Sequence, residues 1–414
     1  MPKIRILVVD DSVVVRRLVT DSLQSDPELT VVAAAANGKI ALNRLEQANP
    51  DVIVLDVEMP EMDGLETLSA LRKTHPKLPV IMFSTLTERG AAATLEALAR
   101  GASDYVTKPA NVGGVNVAVQ RIRDELVPKI KALCGRGAPV VPIPPRPQPA
   151  GVARVGEAAC PARPSPAASL EHPARVDVVA IGVSTGGPVA LERLFADLPA
   201  DLPVPVVVVQ HMPPLFTDML AKRLDAKCPL QVAEGVEGAA LVPGRAWIAP
   251  GDHHLTAVRG SRGVHLHVSR EPPENSCRPA VDVLFRSVAD AYGSNVLATV
   301  LTGMGQDGLR GAERIVEGGG TVLAQDQATS VVWGMPGFVA GAGLAEKVLP
   351  IDRLGAEIVE RVRRGRHGSL AACREVADGA APHSAGGGAG RLAASTAQVD
   401  AGSGVGSMRA GGRE

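Results

Sequence analysis

Short apolar runs alternate with amphipathic stretches along two blocks of this chain, roughly residues 1–134 and 176–364. The strand candidates are IRILVV, TVVAAA, DVIVL, PVIMFS and DYVT in the first block, and VDVVAIG, VPVVVVQ, NVLATVLT and TVLAQ in the second. Strands separated by helical stretches are typical of parallel α/β sheets. We therefore predict two α/β domains, with hairpin-like pieces (RAWIAPG and GVHLHVS) in the less regular segment 230–270.

A segment of different composition separates the blocks. Residues 139–175, from VVPIPPRPQPAG to ARPSPAASLEHPAR, are rich in Pro and Ala and lack apolar periodicity. Such a segment cannot offset its loss of conformational entropy by burial. We predict domains at 1–134 and 176–364, a linker at 135–175 and a disordered, glycine-rich tail at 365–414.

Charge and aromatic content narrow the possible partners. Lys and Arg number 43 against 44 Asp and Glu, a formal net charge of -1, and only 2% of the residues are aromatic. A nucleic-acid or membrane-surface binder has a basic face, and a single-strand binder also has stacking aromatics. The composition therefore argues against nucleic acid as a partner.

The cysteines and the hydropathy pattern indicate a cytoplasmic protein. The chain has five scattered cysteines with no CxxC pair, which is typical of reduced thiols rather than a disulfide framework or zinc site. Only the short run ILVV precedes Asp10, too little for a signal peptide. No apolar run approaches the ~20 residues that span a membrane. We expect no membrane insertion and contact with any membrane-bound target from the cytoplasmic side.

Polar residues follow the strands of the first block at the positions where parallel strands end. Asp10 and Asp11 follow the first strand, Asp56 ends the third, Ser84 ends the fourth, and Lys108 follows the fifth. In an open parallel sheet such groups gather at one edge. Crowded carboxylates repel one another unless a cation joins them, and oxygen ligands suit Mg²⁺. An Asp beside a cation, an ammonium and a hydroxyl could accept a phosphoryl group. The alternative for each carboxylate alone is a solvated loop residue.

With VVDDS, VLDVEMPEMDG, MFST and YVTKP in order, residues 4–125 resemble the receiver domain of response regulators. The resemblance implies a flavodoxin-like, doubly wound parallel sheet with Asp56 as phosphoacceptor. It also implies a Mg²⁺ site formed by Asp56, Asp11, the main-chain carbonyl of Glu58 and, through water, Asp10. The implied switch residues are Ser84, Tyr105 and Lys108. Since receivers are switches, we expect the output in the second block.

The second block contains AIGVSTGGP, a glycine-rich loop with Ser184 at its centre. The loop lacks the lysine of a P-loop, and Ser184 occupies the place of the second glycine of GxGxxG. The surrounding pattern predicts a strand, a tight turn and a helix with Pro188 in its first turn. We therefore predict a serine hydroxyl at a strand end beside a helix N-terminus, where free N–H groups favour negative charge.

A base and an orienting acid follow other predicted strands. His211 ends VPVVVVQH, and Asp307 comes shortly after NVLATVLT. If these strands are parallel, Ser184, His211 and Asp307 project from one edge and form an activated nucleophile. Alone, each residue is more commonly a turn, strand-end or cap residue. GVSTG also fits G-x-S-x-G, but the α/β-hydrolase order is Ser, acid, His, and here the acid comes last.

Four further histidines are weaker candidates for a metal site. His253 and His254 are adjacent, and His265 and His267 alternate along a predicted strand. Histidines so spaced, without Cys or a nearby acid, are more common on surface hairpins than in metal sites. We assign no metal to them.

With IGVSTGGP, VQHMP, LTGMGQDG, RPAVDVLFRSVA and AQDQATSVVWGMPG in place, residues 176–362 resemble the catalytic domain of chemotaxis-type protein-glutamate methylesterases. The resemblance implies an α/β domain with a mainly parallel sheet, a catalytic triad of Ser184, His211 and Asp307, and no cofactor for the ester chemistry. Thr185 matches a supporting active-site threonine, and Met304 lies in the oxyanion-forming turn. Phe338 occupies a position where a smaller residue is commoner in this family.

The implied substrates are glutamyl methyl esters, and selected glutamines, of methyl-accepting chemotaxis receptors. The implied phosphodonor is a chemotaxis histidine kinase. In this family the unphosphorylated receiver covers the active-site face of the catalytic domain. The alternative is a non-catalytic, receptor-binding output module. A DNA-binding output is disfavoured, since the second block is too large and lacks a basic helix-turn-helix.

Overall fold

The computed structural model describes residues 2–109, 115–135 and 175–378. The elements of the first block are β1 Ile4–Val9, α1 Val13–Gln24, β2 Leu29–Ala35, α2 Gly38–Ala48, β3 Val52–Asp56, α3 Gly64–Thr74, β4 Val80–Ser84, α4 Glu88–Ala99, β5 Asp104–Thr107 and α5 Val115–Leu133. The strands form one parallel sheet in the order β2-β1-β3-β4-β5. Every residue of β3 and β4 is buried, as expected for a sheet covered by helices on both faces. The flavodoxin-like prediction is confirmed.

Polar residues that end the loops also start the helices. Ser12, Asn37 and Asp63 each accept a main-chain N–H from the first turn of the helix that follows. Asp63 and Glu66 form a reciprocal capping box. These side chains satisfy N–H groups that have no partner inside the helix. Each of these three helices therefore begins directly after its capping residue.

The elements of the second block are β6 Val178–Val183, α6 Gly187–Ala196, β7 Val206–Gln210, α7 Phe216–Lys227, β8 Gln231–Glu234, β9 Arg245–Ile248, β10 His254–Gly260, β11 Gly263–Ser269, α8 Val281–Tyr292, a 3₁₀ turn Gly293–Asn295, β12 Val296–Val300, α9 Leu309–Glu317, β13 Thr321–Gln325, α10 Met335–Gly341, β14 Lys347–Leu349 and α11 Ile351–Asp378. Seven strands form a parallel sheet in the order β14-β13-β12-β6-β7-β9-β8. The predicted mainly parallel sheet is confirmed.

One strand prediction was wrong. RAWIAPG is not part of a hairpin, since β9 pairs in parallel with β7 and β8 in the large sheet. A strand of four residues has too few positions for periodicity to reveal its partner. The short strands β8, with four residues, and β14, with three, were not predicted. The GVHLHVS prediction is confirmed, because β11 pairs antiparallel with β10.

The last helix continues past the boundary predicted at residue 364, because α11 extends to Asp378. Leu354, Ile358 and Val362 recur every four residues and are fully buried, the pattern of a helix packed along one face. Residues 136–174 and 379–414 lie outside the described residues. The predictions of a linker and a disordered tail there stay predictions.

Candidate active site and receiver pocket

Two neighbouring strands of the first sheet carry buried carboxylates at their ends. Asp10 follows β1 and Asp56 ends β3, and their residues are 1% and 3% exposed. Lys108, beyond β5, places Nζ 2.9 Å from Asp10 Oδ2 and 2.7 Å from Asp56 Oδ2. Asp11 is exposed beside them, and one oxygen from each carboxylate lies within 4.8 Å of the others. The chain order β2-β1-β3 reverses between β1 and β3, the place where such sheets bind ligands.

The surroundings of Asp56 disfavour its negative charge. Burial and the nearby Asp10 raise the pKa of Asp56 to about 6, although Lys108 acts in the opposite direction. A hard cation added to this pocket would relieve the repulsion between the carboxylates. An all-oxygen donor set of this kind fits Mg²⁺.

The other predicted receiver residues, Ser84, Glu58 and Tyr105, each have a different set of contacts. Ser84 Oγ is buried and donates to the carbonyl of Gly90, 3.1 Å away. The side chain of Glu58 forms an exposed ion pair with Arg89, 3.0 Å long. Tyr105 is on β5, buried on the side of the second domain. A phosphoryl group on Asp56 would meet Lys108 directly, whereas Ser84 contacts the start of α4 instead.

The three candidate catalytic residues follow three adjacent strands of the second sheet. Ser184 follows β6 and His211 follows β7, the strand beside it. Asp307 comes seven residues after β12, which pairs with the other edge of β6. Because β12 and β7 flank β6 in a parallel sheet, the three residues come from the same edge at a topological switch point.

The turn at Ser184 is fixed by backbone hydrogen bonds. Ser184 donates its N–H to the carbonyl of Thr302 at 3.0 Å, and its carbonyl accepts the N–H of Gly187 at 2.8 Å. Gln210 Nε2 also donates to the Ser184 carbonyl, at 3.0 Å. Gly303 is packed so closely that a Cβ there would lie 2.9 Å from Ser184 Cβ. The neighbouring loops therefore hold Ser184 in one backbone position.

Asp307 is a buried carboxylate surrounded by donors. It accepts main-chain N–H groups from Val281 at 2.6 Å and Asp282 at 3.0 Å, and the side-chain amide of Asn275 at 2.9 Å. Burial alone would raise its pKa, but hydrogen bonds from His211 and from these main-chain groups lower it. Asp307 therefore remains ionised although it is only 3% exposed.

The His211 ring lies between Asp307 and a cysteine. Nε2 is 2.8 Å from Asp307 Oδ2, and Nδ1 is 3.7 Å from Cys277 Sγ. An ionised carboxylate only accepts hydrogen bonds, so Nε2 carries the proton and Nδ1 is the basic nitrogen. Burial would lower the pKa of His211, but the contacts with Asp307 and Cys277 raise it. Within the described residues, Ser184 Oγ forms no hydrogen bond with His211.

Met304 and Phe338 occupy different positions around this edge. Met304 is in the turn after β12, and its main-chain N–H has no acceptor among the described residues, which leaves that donor for a ligand. Phe338 is on α10, half-buried against the apolar cluster that contains Met335. It makes no hydrogen bond or ring contact with the candidate catalytic residues.

The predicted supporting residue Thr185 contacts the first domain. Its hydroxyl donates to Asp104 Oδ2 at 2.8 Å, in a buried contact between residues 81 positions apart. Asp104 also pairs with Lys129, whose Nζ is 3.0 Å away. Thr185 directly follows Ser184, so this hydrogen bond connects the receiver to the residue next to the candidate nucleophile.

An aromatic contact joins the domains beside this hydrogen bond. The Tyr105 ring stacks on Phe216, the first residue of α7, with centroids 4.8 Å apart and planes inclined by 5°. Arg223 on α7 extends to Glu96 on α4, at 3.3 Å. Asp104, Phe216 and Cys277 were not predicted, because each acts through a partner distant in sequence and carries no local motif.

Both nitrogens of His254 are used within the fold. Nδ1 accepts the main-chain N–H of Ala280 at 3.2 Å, and Nε2 is 3.1 Å from the carbonyl oxygen of Pro272. His265 and His267 are on β11 of the two-stranded hairpin. These histidines therefore belong to the support and surface of the fold.

The receiver pocket and the Ser/His/Asp edge together define a response regulator whose α/β output domain has the layout of a serine hydrolase. Residues 6–120 match the family model for the response regulator receiver domain, and residues 179–358 match that for CheB methylesterase. None of the described helices is long and apolar enough to cross a membrane.

Similar proteins narrow this class to one family. A protein-glutamate methylesterase/protein-glutamine glutaminase of Nocardioides sp. is 54% identical over 88% of this chain and 97% of that protein. One of Trichodesmium erythraeum is 51% identical over 87% of this chain and 100% of that protein. The crystal structure of the Thermotoga maritima CheB methylesterase catalytic domain is 43% identical, with a TM-score of 0.44, over 45% of this chain and 98% of that chain. The chain belongs to the protein-glutamate methylesterase/protein-glutamine glutaminase family.

Proposed function

We propose that this chain is a phosphorylation-regulated serine hydrolase that removes methyl esters from glutamyl side chains of methyl-accepting chemotaxis receptors. The observation that carries the proposal is the layout at the ends of β12, β6 and β7, with a nucleophile candidate flanked by an imidazole and its carboxylate. The names of relatives 54% and 51% identical support the substrate class. The same attack on a glutamine amide releases ammonia, so the proposal includes deamidation of receptor glutamines.

Each catalytic residue has one role in this reaction. Asp307 accepts a hydrogen bond from Nε2–H of His211. Nδ1 is then the nitrogen that takes the proton from Ser184 as Oγ attacks the ester carbonyl. The N–H of Met304 would donate to the oxyanion, and one such donor typically contributes about 3 kcal/mol. The imidazolium then protonates the departing methoxide, and methanol leaves. Water attacks the acyl-enzyme by the same path and frees the glutamate.

Entry into this path requires one local change. Nδ1 of His211 faces Cys277 Sγ at 3.7 Å in the described structure. Ser184 has to replace that contact, by rotation of its side chain toward the ring or of the ring toward it. Apo active sites commonly tighten in this way when substrate binds.

The first domain is proposed to receive phosphoryl groups from a chemotaxis histidine kinase. Asp56 would be the acceptor, and Asp10, Asp11 and the main-chain carbonyl of Glu58 would join it in holding Mg²⁺. The bound ion would offset the negative charge of the carboxylates and the incoming phosphoryl group. Lys108, already paired with Asp56 at 2.7 Å, would neutralise the product.

Control of the esterase is proposed to act through the contact between the domains. Asp104 holds the Thr185 hydroxyl, and Tyr105 stacks on Phe216, so the docked receiver is bound next to Ser184. Phosphorylation would shift the population toward an undocked arrangement, in which the receptor segment can approach.

Methanol release from a methylated receptor fragment tests the esterase. Ser184→Ala should reduce the turnover number by at least about 10⁴-fold, since removal of a triad nucleophile leaves only the oxyanion donors and binding. Ser294→Ala, at an exposed serine, is the matched control and should retain wild-type turnover. Near-normal activity of Ser184→Ala would end the assignment of Ser184 as the nucleophile. Saturable receptor binding with no turnover in the wild type would leave a binding module instead.

A further inference from the structure

Cys277 belongs to no proposed catalytic step, yet it lies beside the catalytic imidazole. Its Sγ is 3.7 Å from Nδ1 of His211, the ring nitrogen that does not contact Asp307. One ligand atom each from His211, Cys277 and Asp307 lies within 4.8 Å of the others. Cys277 and His211 are both partly exposed.

We propose that Cys277 Sγ and His211 Nδ1 form a binding site for a borderline-soft divalent cation of the Zn²⁺ type, and that the bound ion inhibits the enzyme. The metal site itself is independent of the proposed function. The inhibition rests on the proposed function, because it requires His211 to be the base.

The separation of the two ligand atoms fits such an ion. Tetrahedral Zn²⁺, with bonds of about 2.0–2.1 Å to nitrogen and about 2.3 Å to sulfur, holds these atoms about 3.6 Å apart. The observed separation of 3.7 Å needs almost no adjustment. Nitrogen and sulfur ligands favour Zn²⁺ over Mg²⁺, which prefers oxygen.

Asp307 would act on the ion through the imidazole. Both of its oxygens already accept hydrogen bonds, Oδ1 from Asp282 and Asn275 and Oδ2 from Val281 and His211. It is therefore the orienting carboxylate behind a metal-binding histidine, an arrangement that fixes the ring and increases its basicity. Cys277 would bind the ion as a thiolate and release its proton to solvent, and water would complete the coordination shell.

The turn that carries Cys277 is anchored in place before any ion arrives. Glu274 and Cys277 exchange two backbone hydrogen bonds, 3.1 and 2.8 Å long. Asn275, inside this turn, donates to Asp307 at 2.9 Å. Arg286 holds the Glu274 carboxylate with two hydrogen bonds of 2.7 and 2.6 Å. A ligand pair held by its own fold loses little freedom on binding.

Occupation of this site would remove the base. A cation on Nδ1 takes the lone pair that must accept the Ser184 proton, so the nucleophile cannot be activated. Inhibition would be reversible, because a chelator restores the free imidazole.

Cobalt absorption on the full-length chain tests the binding. Co²⁺ is added to the wild type, Cys277→Ser and Cys277→Ala in excess Mg²⁺, which occupies the receiver carboxylates. Sulfur-to-cobalt charge transfer reports a thiolate ligand, which the receiver pocket does not contain. Cys228→Ser, at another half-buried thiol, is the matched control, and circular dichroism checks that each variant is folded.

We expect the charge-transfer band in the wild type and in Cys228→Ser. In the Cys277 variants it should be lost, with Co²⁺ affinity reduced at least by the roughly 10–100-fold that even an outer partner costs. A missing band in the wild type, an unchanged band in both Cys277 variants, or loss of the band in Cys228→Ser would each overturn the site.

Zinc titration of methanol release tests the inhibition separately, with each variant compared with its own activity in chelator. The wild type should lose activity at Zn²⁺ concentrations at least about tenfold lower than either Cys277 variant. Equal sensitivity would overturn the inhibition. If Ser184→Ala instead retained activity, the proposed function would fail while the cobalt result still decided the metal site.

Discussion

The receiver pocket and the catalytic edge each contain a buried aspartate at one edge of a parallel sheet. The pKa values of the two aspartates are shifted in opposite directions. Asp56 and Asp307 both lie at the carboxyl ends of parallel strands and are each 3% exposed. Burial and Asp10 raise the pKa of Asp56 to about 6, whereas hydrogen bonds to His211 and to main-chain N–H groups lower the pKa of Asp307. The neighbours of each carboxylate, rather than its depth, decide whether it carries stable charge.

The two aspartates are therefore suited to different chemical roles. A carboxylate crowded by another carboxylate is poised to gain a cation and a phosphoryl group. A carboxylate already satisfied by donors changes nothing during the reaction and holds an imidazole in one tautomer. In the proposed function, one sheet architecture thus supports a site that is modified and a site that stays fixed.

The largest expected effect concerns the fixed site. Asp307→Asn should reduce the turnover number for methanol release about 10⁴-fold, because the amide no longer holds Nε2 as the protonated nitrogen. Asp290→Asn, at a surface ion pair with Arg314, should behave as the wild type. A loss of less than tenfold would mean that His211 does not need Asp307 to act as the base. The difference between the two aspartates would then have no consequence for catalysis.

A smaller effect is expected where the two regions meet. Asp104→Ala removes a charged acceptor from the Thr185 hydroxyl, a contact that typically contributes about 1.5–3 kcal/mol. Methanol release by the unphosphorylated enzyme should rise roughly tenfold, since 1.4 kcal/mol is a factor of about ten in a docking equilibrium.

Two controls accompany this measurement. Asp124→Ala, at an exposed residue of α5, should leave the unphosphorylated activity unchanged. Asp56→Asn should remove the response to a small phosphodonor in Mg²⁺ without removing basal turnover. If Asp104→Ala and the wild type were equally active with and without the phosphodonor, the buried contact would not restrain the esterase.

Two effects on stability are expected to have opposite signs in the two regions. Asp56→Asn removes a charge that burial and Asp10 disfavour, so the free energy of unfolding in metal-free buffer at pH 7 should rise by about 1–3 kcal/mol. Asp307→Asn takes an ionised acceptor from several buried donors and should lower it by about the same amount. Chemical denaturation measures both. Changes of equal sign would show that the two carboxylates are not stabilised differently.

Much of the candidate site could be predicted from the chain. The acidic pocket follows from carboxylates placed after apolar runs, and the Ser184, His211 and Asp307 prediction follows from three such runs in parallel. These inferences need only a local period and the rule that parallel strands end at one edge. The same reasoning failed for RAWIAPG, where four residues are too few to reveal that β9 lies inside the large sheet.

The sequence by itself thus determined which residues reach the edges of the two sheets. The apolar pattern of a strand and the point where it ends depend on residues that are neighbours in the sequence. Only the tertiary structure decided what those residues meet: Cys277 at Nδ1 of His211, Asp104 at the Thr185 hydroxyl, and Phe216 under the Tyr105 ring. These partners are 66, 81 and 111 positions apart along the chain. No local pattern encodes such contacts, since the packing of whole elements against one another brings them together.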